Sequence, residues 1–318
     1  MNIVVLDGHT LNPGDNSWTA VKALGELVVH ERTDPVDVVA RAASADVLLT
    51  NKTALSASDI AQLPRLKFIS LLATGFNVVD VAAARERDIP VSNVPVYGPD
   101  TVAQYVFASI LHSVHDIGRH DAAIRQGKWG ASQDFSFWLT PLRELSGATL
   151  GVVGFGRIGR RTAEIAKAFG MRVLAHDVAC SNAPQWPGFR WCDLDELFSE
   201  SDFVTLHCPL TKTNGEFVNR SLLGKMKPEA ILVNAARGAL IHEADLADAL
   251  NSGKIAGAVL DVVSREPIDD DNPLLHAKNC VLTPHMAWAA LQARQRLMAT
   301  TAENIEAFLR GQPINLVN

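Results

Sequence analysis

The chain has 318 residues, of which 47% are hydrophobic and 20% charged, and its formal net charge is −6 at pH 7. This length exceeds one typical hydrophobic core and predicts two domains, and the composition is that of an ordinary globular protein. The negative charge, with no concentrated patch of Lys and Arg, argues against a nucleic-acid-binding surface, so no nucleic-acid partner is expected.

The cysteines and the N-terminus bear on the cellular compartment. The four cysteines lack Cys-x-x-Cys spacing and lie in or beside apolar runs, which favours reduced thiols over disulfides. The chain enters a strand-like sequence at Asn2 without the basic segment of a signal peptide, and no apolar run is long enough to span a bilayer. We therefore expect a cytoplasmic protein with no membrane partner. The cysteines are Cys180, Cys192, Cys208 and Cys280.

The first hundred residues alternate between strand-like and helix-like segments, which predicts a parallel sheet with right-handed crossovers. No glycine-rich nucleotide motif follows any of these strands, so this domain is expected to serve something other than a dinucleotide. The strands are predicted at residues 3–6, 27–30, 47–50, 68–71 and 90–92, and the helices at residues 17–24, 36–43, 56–63 and 79–87.

Two loops at the carboxyl ends of these strands are candidate ligand sites, because open α/β sheets bind ligands there. They are Asn-Lys-Thr at residues 51–53 and Ala-Thr-Gly-Phe-Asn at residues 73–77. In the second loop, the small residues around Gly75 can turn several backbone N–H groups toward an anion. Taken alone, both loops are explained equally well as ordinary turns.

A long apolar helix is predicted to run to about Arg125, with Asp100 or Thr101 as its N-cap, and we place the first domain crossing just before it. The segment that follows, residues 129–144, is irregular and aromatic. It would expose a large apolar patch on a monomer, which suggests a protein partner. The alternative is a loop folded onto its own domain. The aromatic residues are Trp129, Phe135, Phe137 and Trp138.

The second domain contains a glycine motif between a strand and a helix. An apolar run at residues 150–153 predicts a buried strand, and Gly154-x-Gly156-x-x-Gly159 then leads into apolar positions at helical spacing. Gly154 can form the tight turn, Gly156 leaves the backbone open to a pyrophosphate, and Gly159 lets the helix lie close to the strand. The helix N-terminus then faces the phosphates. This context predicts a dinucleotide site rather than a chance cluster of glycines.

A carboxylate follows the next strand. Asp177 lies 18 residues after Gly159, near the position where such sites bind the adenosine ribose. A carboxylate accepts hydrogen bonds from the ribose hydroxyls and repels a 2′-phosphate, and neither Val178 nor Ala179 can hold that phosphate. The sequence therefore predicts NAD as the cofactor rather than NADP.

Further strands are predicted at residues 172–175, 203–207, 230–234, 256–261 and 280–283. With the strand before the glycine motif they form a six-stranded Rossmann domain, and a final helix from about residue 287 to 310 can return to the first domain. The predicted fold is α/β, with two doubly wound parallel-sheet domains, the Rossmann domain inserted into the first. Residues 1–99 and 288–318 are predicted to bind substrate, and residues 100–287 to bind NAD.

Three polar residues follow the late strands of the second domain. They are Arg237, Glu266 and His285, each at or just beyond the carboxyl end of a predicted strand. Taken alone, Arg237 also fits a surface charge, Glu266 a turn residue, and His285 a neighbour of a helix N-cap. Neighbouring strand ends can bring all three into one crevice beside the dinucleotide, which predicts an active site.

With these residues identified, the chain resembles the D-isomer-specific 2-hydroxyacid dehydrogenases over nearly its whole length. Within the family, residues 73–80, 134–138 and 285–289 are similar to the glycerate dehydrogenases (hydroxypyruvate reductases). One departure is Phe-Asn-Val at residues 76–78, where that subgroup has a more polar Thr-Asn-Asn, and Phe76 can narrow or shift the substrate pocket. The matching motifs are the glycine motif with Asp177, His207-Cys208-Pro209-Leu210-Thr211, Asn234-Ala235-Ala236-Arg237-Gly238, Asp261-Val262 with Glu266-Pro267, and Thr283-Pro284-His285.

The resemblance implies hydride transfer between NADH and a small 2-keto acid, above all hydroxypyruvate or glyoxylate, to give D-glycerate or glycolate. Arg237 offers a planar fork of donors to the carboxylate and carbonyl oxygen. His285 is the general acid in reduction and the general base in oxidation. Glu266 is expected to hydrogen-bond the other imidazole nitrogen, fix its tautomer and stabilise the protonated ring by its charge.

The resemblance also implies the cofactor contacts. Thr101 approaches a phosphate, Asp261 receives the nicotinamide carboxamide, and His207 and Pro209 lie near the adenine and its ribose. No metal is expected. The expected cofactor-binding residues are Thr101, Gly154, Gly156, Arg157, Ile158, Gly159, Asp177, His207, Pro209, Ala235, Arg237, Asp261 and His285.

For the substrate, backbone N–H groups around Thr74 and Gly75 are expected to hold the carboxylate together with Arg237. The family builds a twofold dimer near the aromatic segment, so Trp138 of the partner subunit is expected to close the far wall of the pocket. The expected substrate-binding residues are Asn51, Thr74, Gly75, Phe76, Arg237, His285, Trp288 and Trp138 of the partner subunit.

Two other functions stay open at this point. Some family members are transcriptional corepressors that sense NAD, although nothing in this sequence resembles a peptide-binding tail. Others oxidise formate or phosphite. Formate dehydrogenases carry Gln where Glu266 stands, which counts against formate, whereas phosphite oxidation is harder to exclude.

Overall fold

The computed structural model describes all 318 residues, and they form two compact units. The first unit comprises Met1–Gly98 and Trp288–Asn318, and the second comprises Pro99–Ala287. The chain leaves the first unit once and returns once, so the second unit is inserted into the first. Each unit is built around one sheet whose strands are all parallel, which confirms the predicted fold class.

The first unit contains a five-stranded sheet in the order β2-β1-β3-β4-β5. This is a doubly wound order in which the winding reverses between β1 and β3, and ligands of such sheets bind at the carboxyl ends of the strands there. The bounds are β1 (Asn2–Val5), β2 (Glu26–Val29), β3 (Val47–Thr50), β4 (Phe68–Leu71) and β5 (Val91–Ser92).

Short helices and one long helix cover this sheet. The long C-terminal helix, Leu291–Leu309, buries Leu297 and Ile305 against Ile3 and Val5 of β1. It begins at Leu291, so the prediction of a start near residue 287 is wrong by one turn. The short helices are α1 (Thr19–Lys22), α2 (Val38–Ala42), α3 (Ala57–Ala61) and α4 (Val81–Glu86).

The second unit contains a seven-stranded sheet in the order β12-β11-β10-β9-β6-β7-β8. Six of these strands were predicted, so the prediction of six strands is wrong by one. The missed strand, β8, has only three residues at the sheet edge, too few for a recognisable alternation. The bounds are β6 (Thr149–Val153), β7 (Arg172–His176), β8 (Phe189–Trp191), β9 (Phe203–Leu206), β10 (Ile231–Asn234), β11 (Gly257–Leu260) and β12 (Cys280–Leu282).

The helix that opens the second unit differs from its prediction. It begins at Pro99, a residue suited to the first helical position, so Asp100 and Thr101 lie in its first turn and neither is the N-cap. It is also two helices, because Asp116 adopts φ 40° between them. The helices are α5 (Pro99–His115), α6 (Ile117–Arg125), α7 (Arg157–Ala168), α8 (Leu194–Glu200), α9 (Arg220–Lys225) and α10 (Glu243–Asn251).

All four cysteines are free thiols, as predicted. Burial raises the pKa of Cys192 and of Cys280 to about 11, so both are protonated near neutral pH. None of the helices combines the length and the apolar character that a membrane span requires.

The aromatic segment, residues 129–144, forms no helix or strand, as predicted. Phe135 is 91% exposed and Trp138 is 67% exposed. Neither of these two side chains is therefore packed into the core of its own domain. The segment is tied to α6 by the backbone N–H of Leu139, which donates to His120 Nε2 at 3.0 Å.

Candidate active site

The glycine motif lies where the winding of the second sheet reverses, between β6 and β9. Gly154 adopts φ +93°, and a Cβ there would lie 2.4 Å from the backbone N of Cys208. A Cβ on Gly159 would lie 2.1 Å from the carbonyl oxygen of Gly154. Both positions thus require glycine, the first for its φ and for the approach of two loops, the second for the approach of helix to turn.

Gly156 plays a different part, because nothing lies within 4 Å of the place where its Cβ would be. It is the N-cap of α7, so the first N–H groups of that helix, beginning at Arg157 and Ile158, border an open space. An open backbone at a helix N-terminus fits the pyrophosphate of a dinucleotide. The structure thus has the cradle that NAD requires.

Asp177 follows β7 and lies beside the glycine motif. Its Oδ2 accepts a hydrogen bond of 2.6 Å from the backbone N–H of Phe155. This bond fixes the carboxylate next to the cradle, where an adenosine ribose would be placed. Val178, the next residue, is fully exposed.

Arg160 of α7 contacts the loop that follows Asp177, a role that no sequence motif indicated. Its Nη1 donates to the carbonyl of Asn182 at 2.8 Å and its Nη2 to that of Ser181 at 3.0 Å. Its Cζ lies 4.7 Å from the centre of the Phe155 ring. The loop after Asp177 is thereby attached to α7.

His207 and Pro209 follow β9 on the other side of the cradle. Burial lowers the pKa of His207 to about 4, so its imidazole is neutral at physiological pH. Its Nε2 lies 3.1 Å from Oγ1 of Thr205. Pro209 is exposed.

Arg237 lies three residues beyond β10 in a turn that Asn234 closes. The buried Asn234 side chain accepts from the backbone N–H of Ala236 at 2.9 Å and donates to the carbonyl of Arg237 at 2.9 Å. Arg237 is exposed, and its Nη1 donates to the carbonyl of Ala236 at 2.6 Å. Ala235 is half-buried and packs on the core beneath.

Glu266 and His285 meet beyond the ends of the neighbouring strands β11 and β12. Oε2 of Glu266 lies 2.7 Å from Nδ1 of His285, and both side chains are partly exposed. This is the contact that the family resemblance implies. Because Nδ1 is engaged, Nε2 is the nitrogen that remains for a substrate oxygen.

Asp261 organises the turn that carries His285. Its own carbonyl accepts from the N–H of His285 at 2.8 Å, and its carboxylate accepts from the N–H groups of Met286 and Ala287, each at 2.8 Å. One residue, 1% exposed, thus holds three successive amides. His285 itself adopts φ 53°, a conformation that needs such support in a residue with a Cβ.

Glu243 was also missed by sequence reasoning. At the start of α10, its Oε1 accepts from the N–H of Ser264 at 2.6 Å, and its Oε2 accepts from the hydroxyl of Ser264 and the amide of Asn272. It thereby holds the loop that leads to Glu266. An acidic residue in a first helical turn is too common for this role to be read from sequence.

Thr101 lies in the first turn of α5, where its hydroxyl donates to the carbonyl of Ala287 at 3.3 Å.

In the first unit, Asn51 begins a loop held by Asp7. The Asp7 carboxylate accepts from the N–H groups of Asn51 at 2.8 Å, Lys52 at 2.5 Å and Thr53 at 2.8 Å. Asn51 is buried, and its backbone N–H is already hydrogen-bonded to Asp7. Asp7 lies two residues after the end of β1, and its hydrogen bonds join residues more than 40 positions apart.

The other candidate substrate-binding residues of the first unit are Thr74, Gly75 and Phe76, which follow β4, and Trp288, which begins the C-terminal segment. The Thr74 hydroxyl donates to the carbonyl of Val94 at 2.7 Å, while no hydrogen bond within the chain engages the backbone N–H groups of Thr74 and Gly75. Phe76 is 41% exposed. Trp288 is half-buried and packs on the core of the first unit.

The sequence is similar to a known family and to several named proteins. Residues 107–287 match the family described as D-isomer specific 2-hydroxyacid dehydrogenase, NAD binding domain. A hydroxypyruvate reductase of Blautia hydrogenotrophica is 48% identical over 100% of both chains. A glycerate dehydrogenase of Methylorubrum extorquens is 39% identical over 89% of this chain and 88% of its own. The solved structure of a D-2-hydroxyisocaproate dehydrogenase matches with a TM-score of 0.86 at 26% identity, over 100% of this chain and 99% of that one.

The chain therefore belongs to the D-isomer-specific 2-hydroxyacid dehydrogenase family. It is an NAD-dependent enzyme of that family, and residues 107–287 lie in its NAD-binding domain.

Proposed function

We propose that this enzyme reduces hydroxypyruvate and glyoxylate with NADH, giving D-glycerate and glycolate. The observation that carries the proposal is the 2.7 Å pair of Glu266 and His285. These residues follow β11 and β12, and Arg237 follows β10, the strand next to β11. The 48% identity to a hydroxypyruvate reductase supports the choice of substrate.

The chain's own residues supply the proton and the orientation. When bound, the dinucleotide supplies the hydride. His285 donates its Nε2 proton to the carbonyl oxygen, while Glu266 stabilises the charged ring through Nδ1. Arg237 directs donors at the carboxylate and the carbonyl oxygen. In oxidation, His285 takes the proton back.

The remaining assignments follow the same proposal. Residues 100–287 bind NAD, and residues 1–99 and 288–318 form the substrate-binding domain. Asn51, Trp288 and the loop at residues 74–76 belong to the substrate site, where the unengaged amides of Thr74 and Gly75 suit a carboxylate. The enzyme acts in the cytoplasm. The rest of the cofactor set, including Thr101, His207, Pro209 and Asp261, contacts the dinucleotide as the family resemblance implies.

A panel of keto acids tests the proposed function. With NADH, kcat/KM is expected to be higher for hydroxypyruvate and glyoxylate than for pyruvate or a branched 2-keto acid. With NADPH, kcat/KM is expected to be lower than with NADH by roughly tenfold or more, because Asp177 repels a 2′-phosphate. A preference for the branched acid would contradict the substrate, and phosphite oxidation without keto acid reduction would contradict the proposed reaction. Equal efficiency with NADPH would show that Asp177 does not face the ribose.

The exposed aromatic segment supports a homodimer. Phe135 and Trp138 present more apolar surface than an isolated subunit leaves in water without a purpose. A twofold dimer brings the same segment of each chain to the other. Trp138 of the partner subunit then closes the substrate pocket, and a large rigid ring there obstructs branched or aromatic keto acids.

Trp138→Ala is expected to raise the activity on branched keto acids relative to glyoxylate, because the obstructing ring is removed. The same panel measures the ratio, with size-exclusion chromatography to follow the dimer. Phe135→Ala is the control, since it removes an exposed ring of the same segment and is expected to leave the substrate order unchanged. An unchanged order in Trp138→Ala would refute its place in the pocket.

A further inference from the structure

A second layer of polar residues lies behind the turn that carries His285. The hydroxyl of Thr283 and Oδ1 of Asp261 are 2.6 Å apart, and the hydroxyl of Tyr105, from α5, is 2.6 Å from that of Thr283. The three groups form a chain that runs from helix α5 to the carboxylate beneath His285.

The direction of this chain follows from its chemistry. The Asp261 carboxylate oxygens accept two backbone N–H groups, and Oδ1 also accepts from the Thr283 hydroxyl. Since the hydroxyl proton of Thr283 goes to Asp261, its oxygen accepts from Tyr105. Burial raises the pKa of Tyr105, so its hydroxyl remains a donor at neutral pH.

The chain completes the support of a conformation that is unfavourable by itself. His285 has φ 53°, and Asp261 accepts hydrogen bonds from the backbone N–H groups of His285 and of the next residue, Met286. The amides of Met286 and Ala287 bind different oxygens of the carboxylate, so both bonds depend on its orientation, and the Thr283 hydroxyl contributes a third bond to that orientation at Oδ1. Tyr105 in turn fixes the rotamer of the Thr283 hydroxyl and connects the turn to the long helix α5.

We propose that Tyr105 and Thr283 are positioning residues for His285, acting through Asp261. The proposal rests on the proposed role of His285 as the proton donor. It makes the orientation of the catalytic imidazole depend on α5, a helix that supplies no group to the proton transfer.

The experiment compares four variants of the full-length enzyme. Tyr105→Phe and Thr283→Val remove one hydroxyl each with little change in shape, and Thr283→Ser keeps the hydroxyl. Ser113→Ala is the matched control, because it removes a hydroxyl of α5 that bonds only to the carbonyl of Ser109. For each, the measurements are kcat, KM, the Kd for NADH, the melting temperature, and hydrogen exchange of the amides at Met286 and Ala287.

Small displacements of a catalytic group have large kinetic effects. We expect kcat to fall about tenfold in Tyr105→Phe and about a hundredfold in Thr283→Val, with KM changing less than kcat. Exchange at Met286 and Ala287 is expected to quicken by roughly tenfold in Thr283→Val. Thr283→Ser restores the kinetics and the protection, and Ser113→Ala resembles the wild type.

Unchanged kcat and exchange in Tyr105→Phe and Thr283→Val would overturn the proposal, as would equal losses in Thr283→Ser and Thr283→Val. A loss confined to the melting temperature would also overturn it, because it would show a merely structural role. Failure of the proposed function is distinguishable, since it would show as an inactive wild type while the exchange experiment still reports on the turn.

Discussion

The variant His285→Ala is expected to lose turnover by a factor on the order of 10² to 10⁴ in keto acid reduction. The loss follows because His285 is the only proton donor that the proposed reaction assigns to the carbonyl oxygen. NADH binding is expected to persist, since the glycine motif and Asp177 lie on other strands. Steady-state kcat and a fluorescence titration with NADH measure the two effects separately. Retained turnover would show that another group delivers the proton.

The role of Glu266, the partner of His285, is tested by removing its charge while its side chain keeps its size. Glu266→Gln keeps the size and an acceptor oxygen but removes the charge beside Nδ1. Reduction is therefore expected to fall off at a lower pH than in the wild type, because the protonated ring is less stabilised. Asp269→Asn is the control, because that carboxylate pairs with Arg265 and not with His285. An unchanged pH profile in Glu266→Gln would show that the contact does not control the proton.

The variant Gly238→Ala is expected to have the largest combined effect on stability and activity. A Cβ at this position would lie 1.8 Å from the carbonyl carbon and 2.0 Å from the carbonyl oxygen of Val263. Both are backbone atoms, so no side-chain rotation relieves the overlap. The loop that carries Arg237 must then separate from the loop that leads to Glu266.

Overpacking of this kind lowers stability by about 1–3 kcal/mol or more, and a shift of about 1 Å at the site costs about a hundredfold in rate. Gly224→Ala is the control, since it lies in α9 with nothing within 4 Å of its Cβ position. It is expected to be neutral or slightly stabilising. Thermal unfolding and kcat/KM of both variants test the difference. Equal behaviour of the two variants would show that the loops can separate without consequence.

The sequence predicted the Rossmann unit well because its signals are local. The glycine motif lies between a buried strand and a helix, and Asp177 follows at the expected distance. The break at Asp116 was missed because the apolar pattern continues across it. The strand Phe189–Trp191 was missed because its three residues gain their stability from tertiary contacts, including the ring of Phe155 at 5.1 Å from both Phe189 and Trp191.

The supporting polar residues were harder to predict. Asp7, Glu243 and Tyr105 each bond to groups between 21 and 178 positions away. No periodicity or short motif reports such a contact, because it depends on which strands become neighbours. The strand ends predicted that Glu266 and His285 share one crevice. The hydrogen bond between them came from the family resemblance, which carries that information from other folded proteins.

Three loops beyond the carboxyl ends of strands share one construction. Asp7, Asp177 and Asp261 each end or closely follow a strand and accept N–H groups from the loop beyond the neighbouring strand. Such loops hold their shape before any ligand arrives. Phe76 lies outside these stapled loops and is partly exposed. Under the proposed function, exchanges at Phe76 would therefore change the choice of keto acid, while the loops held by these three carboxylates keep their shape.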